Sequence, residues 1–388
     1  MKLKKETKLL LILFSTYIFL NSVFILYCIF INTNYVTEVP DQGNFVTRGS
    51  GILSGLLPYR DFYTNAAPLS PYVWSIIVLI SSLLVVKFDF VVRFFFSLCL
   101  ILSSLILFKI QKKKNNPKAF IMALVYGLNP FFLYLNVIWG GDECILPLLI
   151  LIPIFLFEEN KPVLGTITIA LGAGIKYYPV LLAPLIWAYF ENWKKRTVGI
   201  SLFVLLVGLI YIPFYFIAPE EFLFQFKDPV QETFGGNQGI LSVIQAFFNL
   251  DLEKYNLYFK ITTIIVLFIC GIFFLFRRED NYMDAFPFLL IFLIFYPKFQ
   301  ISYVVLLFPF IIEYIFIERK IYVSTAFYTL SLVYGDSANS LMEENLSNLA
   351  MIILYWLIVL VFYLLAFSLL VMYFSTTKKI SSEQKTET

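Results

Sequence analysis

The chain has 388 residues, 60% of them hydrophobic and 14% charged, with a net charge of +3 and no histidine. So little charge excludes an ordinary soluble domain, and the near-neutral balance argues against a nucleic-acid partner. The missing histidine removes the commonest general base and the commonest zinc ligand. Cys28, Cys99, Cys144 and Cys270 are far apart, without Cys-x-x-Cys spacing, so neither a metal cluster nor a disulfide framework is indicated.

Met1–Lys8 carries four lysines ahead of the apolar run Leu9–Ile31. That run is too long for a cleavable signal and reads as a retained span entering from the cytoplasm. The polar segment 32–71 is then the first outer loop. It holds Asp41, Arg48, Tyr59, Arg60 and Asp61 among several glycines and prolines. A polar stretch is costly beside a membrane span, so this loop is a functional candidate. The next apolar run, Tyr72–Val86, is 15 residues long, short of the ~20 needed to cross. The full-length run Phe90–Ile110 then leads to Lys112, Lys113, Lys114 and Lys118, a cluster that belongs inside. Tyr72–Val86 is therefore predicted to be interfacial or re-entrant.

The remaining runs alternate. Ala119–Ile138 leads out and delivers Gly140, Gly141, Asp142 and Glu143 to the outer face. Pro162–Ile175 and Pro179–Phe190 are short passes meeting at Lys176-Tyr177-Tyr178. Thr197–Ile217 leads to a second outer loop, 218–256, which contains Asn237 and Gln238. Two further passes meet at Lys298-Phe299-Gln300, and a polar cytoplasmic tail occupies 375–388. The expectation is one all-α polytopic membrane domain over 1–388, with about 12 transmembrane helices, interfacial helices in the first loop, and both termini cytoplasmic.

The polar groups that this threading leaves unexplained fall on one side: Asp41, Asp61, Asp142, Glu143, Lys176, Asn237, Gln238, Lys298 and Gln300. Polar tips between short spans imply a cavity sunk below the outer surface. Cations suit a phosphate and carboxylates suit hydroxyls. This pattern fits an enzyme acting on a lipid phosphate, and equally a secondary transporter or flippase for an anionic solute or lipid-linked glycan. Plainer roles exist for each residue. Asp41, beside Pro40, fits a turn; Asp61 fits pairing with neighbours or a helix cap; Asp142 and Glu143 fit a helix N-cap; Lys176 fits snorkelling.

The first loop, with Asp41, Gly55, Pro58-Tyr59-Arg60-Asp61 and Pro68-Leu69, resembles that of GT-C superfamily glycosyltransferases. Asn129-Pro130, Gly140-Gly141-Asp142, Ile175-Lys176-Tyr177-Tyr178-Pro179, Asn237-Gln238 and Gln300-Ile301-Ser302-Tyr303 are similar to later motifs of that superfamily, in order. The nearest branch is the polyprenol-phosphate-mannose-dependent mannosyltransferases of phosphatidylinositol mannoside synthesis. The resemblance implies an inverting hexosyltransferase of the plasma membrane with its active site on the outer face. It implies a polyprenyl-phosphate sugar donor, with mannose as the sugar, a lipid or glycan acceptor, membrane lipids as surroundings, and no cofactor, a metal being optional. It assigns catalysis to Asp41. It assigns substrate binding to Arg48, Tyr59, Arg60, Asp61, Asp142, Glu143, Lys176, Tyr177, Asn237, Gln238, Lys298 and Gln300.

Overall fold

A computed structural model describes residues 4–31, 40–223, 256–275, 282–296, 301–316 and 360–371, with positions 326 and 357. The described residues are mostly helical, without a named strand, and the protein is an all-α polytopic membrane protein. Four described helices are long and apolar enough to cross a bilayer: Lys5–Tyr27, Phe88–Lys113, Ala119–Val137 and Trp193–Ile217. Shorter apolar helices accompany them. In lipid every backbone donor and acceptor must be satisfied internally, which leaves helices as the natural form for such runs.

Two compact units divide the chain, Met1–Asp228 and Pro229–Thr388. In the first, α1 (Lys5–Ile31), α2 (Pro40–Leu53), α3 (Ser70–Leu84), α4 (Phe88–Lys113), α5 (Ala119–Gly127) and α6 (Pro130–Leu133) lead into a π-helical turn, Tyr134–Trp139. A 3₁₀ turn, Asp142–Ile145, follows, then α7 (Leu146–Glu158), α8 (Pro162–Ile175), a second 3₁₀ turn (Tyr178–Leu182), α9 (Ala183–Tyr189) and α10 (Trp193–Ile217). The second unit contains α11 (Asn256–Leu275), α12 (Ala285–Phe295), α13 (Phe308–Phe316) and the apolar helix α14 (Leu360–Val371). There Thr263 donates to the Phe295 carbonyl at 2.7 Å, and the rings of Phe286 and Tyr314 lie 5.3 Å apart.

Lipid tails are as apolar as leucine, so helices in a membrane associate through close packing and hydrogen bonds. Tyr17 of α1 donates to the Gly127 carbonyl at 2.9 Å, and Ser104 of α4 donates to that of Ala123 at 2.5 Å. A Cβ on Gly127 would sit 2.6 Å from a Leu13 methyl, so the bare glycine leaves that side chain its place between α5 and α1. By contrast α10 is apolar yet carries a row of exposed large side chains, Val198, Leu205, Leu209 and Phe216 among them, which is the surface a helix offers to hydrocarbon.

The ends of the helices fix the threading of the first unit. Lys112, in the last turn of α4, pairs with Glu6 at the start of α1 at 3.0 Å, while Asn21, further along α1, donates to Ser97, nearer the start of α4, at 2.9 Å. The two helices are antiparallel, so the segment between them begins and ends at one end of the bundle. Helix α3, at 15 residues, lies within that segment and carries the chain back to the end it came from. At 1.5 Å per residue it reaches about 22 Å, less than the ~30 Å of hydrocarbon. Lys113 pairs with Glu159 at 3.3 Å, and Tyr189 with Glu158 at 2.8 Å, so the ends of α4, α7 and α9 gather at the opposite end of the unit.

Candidate functional site

The two polar tips of the first unit meet. Lys176 donates to Asp142 Oδ1 at 2.6 Å, across 34 residues of sequence. Their side chains are 20% and 15% exposed, so this pair is largely withdrawn from solvent yet still reachable.

Local chemistry explains each tip. Asn129 caps α6, its side-chain oxygen accepting from the Phe131 N–H at 2.8 Å, and Pro130 occupies the first helical position, where no N–H is needed. The helix then widens into the π turn and stops at Gly140, whose φ of +65° favours glycine. Gly141 is extended, and its N–H returns to the Leu135 carbonyl at 3.1 Å. Asp142 therefore stands at the head of a short 3₁₀ turn, with Glu143 buried beside it. The N-cap expectation for these acids is corrected here: Gly141 is the cap residue and no side chain caps the turn. On the other tip, Lys176 is the extended residue that ends α8. Pro179 then supplies no N–H and opens the next 3₁₀ turn.

The first loop docks beside the same tip. The Leu69 N–H donates to the Gly174 carbonyl at 2.7 Å, two residues before Lys176. A Cβ on Gly174 would lie 2.7 Å from the Leu69 side chain, so a larger residue there would force that leucine to shift. An aromatic chain makes a second bridge. Tyr59 packs edge-on against Phe222 at 5.2 Å, Phe222 against Tyr211 at 6.3 Å, and Tyr211 against Tyr177 at 6.4 Å. Tyr211 also donates to the Ala173 carbonyl at 2.7 Å.

The other first-loop residues sit as follows. Asp41 lies in the first turn of α2, so the backbone there is helical and not the turn that Pro40 suggests. A proline at the first helical position starts a helix as readily as it makes a turn. Arg48 donates to Asn65 at 2.9 Å. Tyr59 is buried, with a left-handed φ of +69°, unusual for a side chain of its size. Its backbone N–H donates to the Phe62 carbonyl and its hydroxyl to that of Ala66. Arg60 and Asp61 form a bidentate pair with each other at 2.8 Å and are exposed. The guanidinium, and then the Leu57 N–H, hold the Asp61 carboxyl down at about 2. Asn237, Gln238, Lys298 and Gln300 lie outside the described residues. Among the described residues no three carboxylate or thiol groups converge as a metal would need.

Sequence reasoning passed over Arg93. It is 3% exposed in α4, donating from Nη1 to the Asn136 carbonyl at 2.9 Å and to that of Val137. Its guanidinium lies 4.9 Å from the Phe24 ring centre. Ser97 links the same region, accepting from Asn136 at 2.7 Å and from Asn21 at 2.9 Å. Arg93 thus clamps the π turn that delivers Asp142. The signal was available: a charge within an apolar span is a functional residue by default.

The family model described as Glycosyltransferase family 87 matches residues 70–309, from the start of α3 through the motifs that follow. No curated protein matches the chain.

Proposed function

The chain belongs to glycosyltransferase family 87, and we propose that it moves a sugar, mannose in our reading, from a polyprenyl-phosphate donor to a lipid or glycan acceptor at the outer face of the plasma membrane. The observation that supports a phosphate-linked donor is the Lys176–Asp142 pair. A lysine buried at the junction of two short passes needs a compensating anion. Asp142 provides one and fixes the direction of the ammonium. That ammonium carries three donors, so it can hold Asp142 while meeting a phosphate oxygen.

In this scheme the Asp41 carboxylate accepts the proton of the acceptor hydroxyl as that oxygen attacks the anomeric carbon. The bond from that carbon to the phosphate oxygen breaks, the lipid phosphate leaves with the electron pair, and a single displacement inverts the configuration. Asp41 need not be a strong base, because proton transfer can follow charge build-up on the attacking oxygen. Lys176 stabilises the charge developing on the leaving phosphate. Lys298, Gln300, Asn237 and Gln238 complete the donor-binding set in this reading, and no cofactor is required.

The test is transfer of radiolabel from polyprenyl-phosphate mannose into lipid or glycan by membranes containing the protein. The expected result is incorporation that Lys176→Met suppresses. Incorporation only from nucleotide-sugar donors, or none from any lipid-linked sugar, would overturn the donor assignment.

A further inference from the structure

We propose that the basic pocket where the start of α1 meets the turn between α4 and α5 binds the headgroup of one phospholipid that carries two negative charges. The pocket encloses about 320 Å³ and lies beside the last turn of α4. Glu158 and Glu159 close α7 at that same end of the unit. Asp142 stands before the other end of α7, so the pocket is remote from the Asp142–Lys176 pair. The proposal is independent of the transferase reading and goes beyond it.

Lys4, Lys5 and Lys112 line the pocket, and Glu6 is the one carboxylate that lines it. Glu6 is already used, pairing with Lys112 at 3.0 Å. The walls therefore keep an excess of two positive charges, carried by Lys4 and Lys5. Both side chains are exposed, so an anion can reach them. Lys109, one turn back on α4, adds to the positive field around Glu6, as Lys4 does. Ammonium groups on long stems are point charges rather than planar forks, and they suit phosphate oxygens approached from several directions.

The floor is apolar. Phe108 and Ala119 are buried beneath the lysines, and Phe120 is half-buried. The spans that begin or end here are long and apolar enough to cross a bilayer, so the pocket lies at the level of lipid headgroups. A headgroup there sets its phosphates on the lysines and its glycerol against the aromatic floor, while its acyl chains stay in the bilayer. Basic pockets between membrane helices suit multiply charged headgroups for this reason. A free phosphate would meet the lysines but gain nothing from the floor. Lysines beside a span also set its direction of insertion. That role depends on their number on one side, whereas a pocket depends on their arrangement.

Full-length protein is reconstituted in nanodiscs of phosphatidylcholine with equal minor fractions of diphosphatidylglycerol and phosphatidylglycerol, then released for native mass spectrometry. Both faces of a nanodisc carry the same lipids, so insertion direction does not enter. One diphosphatidylglycerol should remain bound, with each of the other lipids retained about tenfold less. Lys4→Gln with Lys5→Gln removes the excess charge and should lower that retention about tenfold. Pro117→Trp, at an exposed lining position, fills the pocket with every charge kept. It should lower retention by a similar factor with an unchanged melting temperature. Lys161→Gln with Lys194→Gln neutralises two exposed lysines at the same end but outside the pocket, and should leave retention unchanged. Equal loss in the two lysine pairs would reduce the pocket to diffuse surface charge and overturn the proposal. So would undiminished retention in Pro117→Trp, or equal retention of the three lipids. Displacement of diphosphatidylglycerol by equimolar inorganic pyrophosphate would overturn it as well, giving the pocket to a free anion.

Discussion

Two polar regions of the first unit carry acid–base pairs of similar length and opposite character. In the first loop, Arg60 and Asp61 are chain neighbours paired at 2.8 Å on the surface. At the helix tips, Asp142 and Lys176 are paired at 2.6 Å, with side chains 15% and 20% exposed. The surface pair follows from adjacency and contributes little, because water and salt screen it. The tip pair exists only because the π turn, two glycines and the end of α8 bring distant residues together. Burial raises what each charge costs when alone, so each depends on the other. Distance alone does not separate the two cases; burial and sequence separation do.

The comparison can be broken most decisively through turnover. If the first loop holds the base and the tips hold the phosphate, Asp41→Asn should reduce the rate of sugar transfer by about 10²–10⁴-fold, the range for loss of a general base. Donor binding should stay close to normal. Asp142→Asn should act mainly through Lys176, weakening donor binding more than it slows the bound complex. Steady-state transfer assays with donor varied would show this as a change in KM against a change in kcat. The reverse pattern would move the base to the tips.

The next effect in size concerns the tip pair itself. Lys176→Met removes the cation and leaves Asp142 in a mostly buried place without it. Donor affinity should fall about tenfold to a hundredfold, roughly 1.4 to 2.8 kcal/mol. Paired with Asp142→Asn in a double-mutant cycle, the coupling should lie at about 0.5–3 kcal/mol. The same cycle on Arg60 and Asp61, with donor binding as the readout, should give none. Equal coupling in both cycles would erase the distinction drawn between the regions.

A third effect is architectural and contrasts two glycines of α2. A Cβ on Gly49 would lie 2.8 Å from the backbone of Trp74, whereas Gly43 has nothing within 4 Å. Gly49 allows α2 to lie against α3, with Phe45 stacked on Trp74 at 4.1 Å between ring centres. Gly49→Ala should destabilise by about 1–3 kcal/mol, as overpacking does. Gly43→Ala should stabilise by about 0.5–1 kcal/mol through helix propensity. Detergent-solubilised melting curves would read both.

What could be read ahead of the structure follows the same division. Long apolar runs and their lysine flanks reveal spans, because hydrocarbon thickness and charge placement are coarse, one-dimensional constraints. The reading of the 15-residue run Tyr72–Val86 came from its length together with the lysines that follow Phe90–Ile110; length alone would not have given it, since α7 and α8 are shorter. The packing of Tyr59 was not legible: its motif position suggests substrate and says nothing of the Phe222 and Phe214 rings that lie against it. Arg93 was overlooked because reading outward-facing loops for chemistry neglects charges within spans. The meeting of Asp142 with Lys176 was expected only as a shared cavity. The contact itself depends on where a π turn ends, which apolar periodicity does not encode. The helical backbone at Asp41 shows the same limit, since Pro40 suits a turn and a helix start equally.

The smallest effect tests the surface pair by titration. Asp61 has its carboxyl lowered to about 2, chiefly by hydrogen bonds from Arg60 and next by the Leu57 N–H. A carboxyl whose folded value is depressed contributes stability above its unfolded value, here 3.8, and loses that contribution as the pH falls through the folded value. The window is therefore acidic, between about pH 4 and pH 2, and at neutral pH the contribution is fully present. Because the pair is exposed, screening keeps that contribution below what a melting curve resolves. The titration itself is the better readout. With carbon-13 label in aspartate, the Asp61 carboxyl should titrate near 2 in the parent protein. In Arg60→Gln the midpoint should move up toward 3.8 without reaching it, because the Leu57 N–H still donates to Oδ2 at 2.8 Å. Sugar transfer should be unchanged in that variant if Arg60 and Asp61 serve only each other. A loss of transfer with the midpoint shifted as described would instead return both residues to the substrate-binding set.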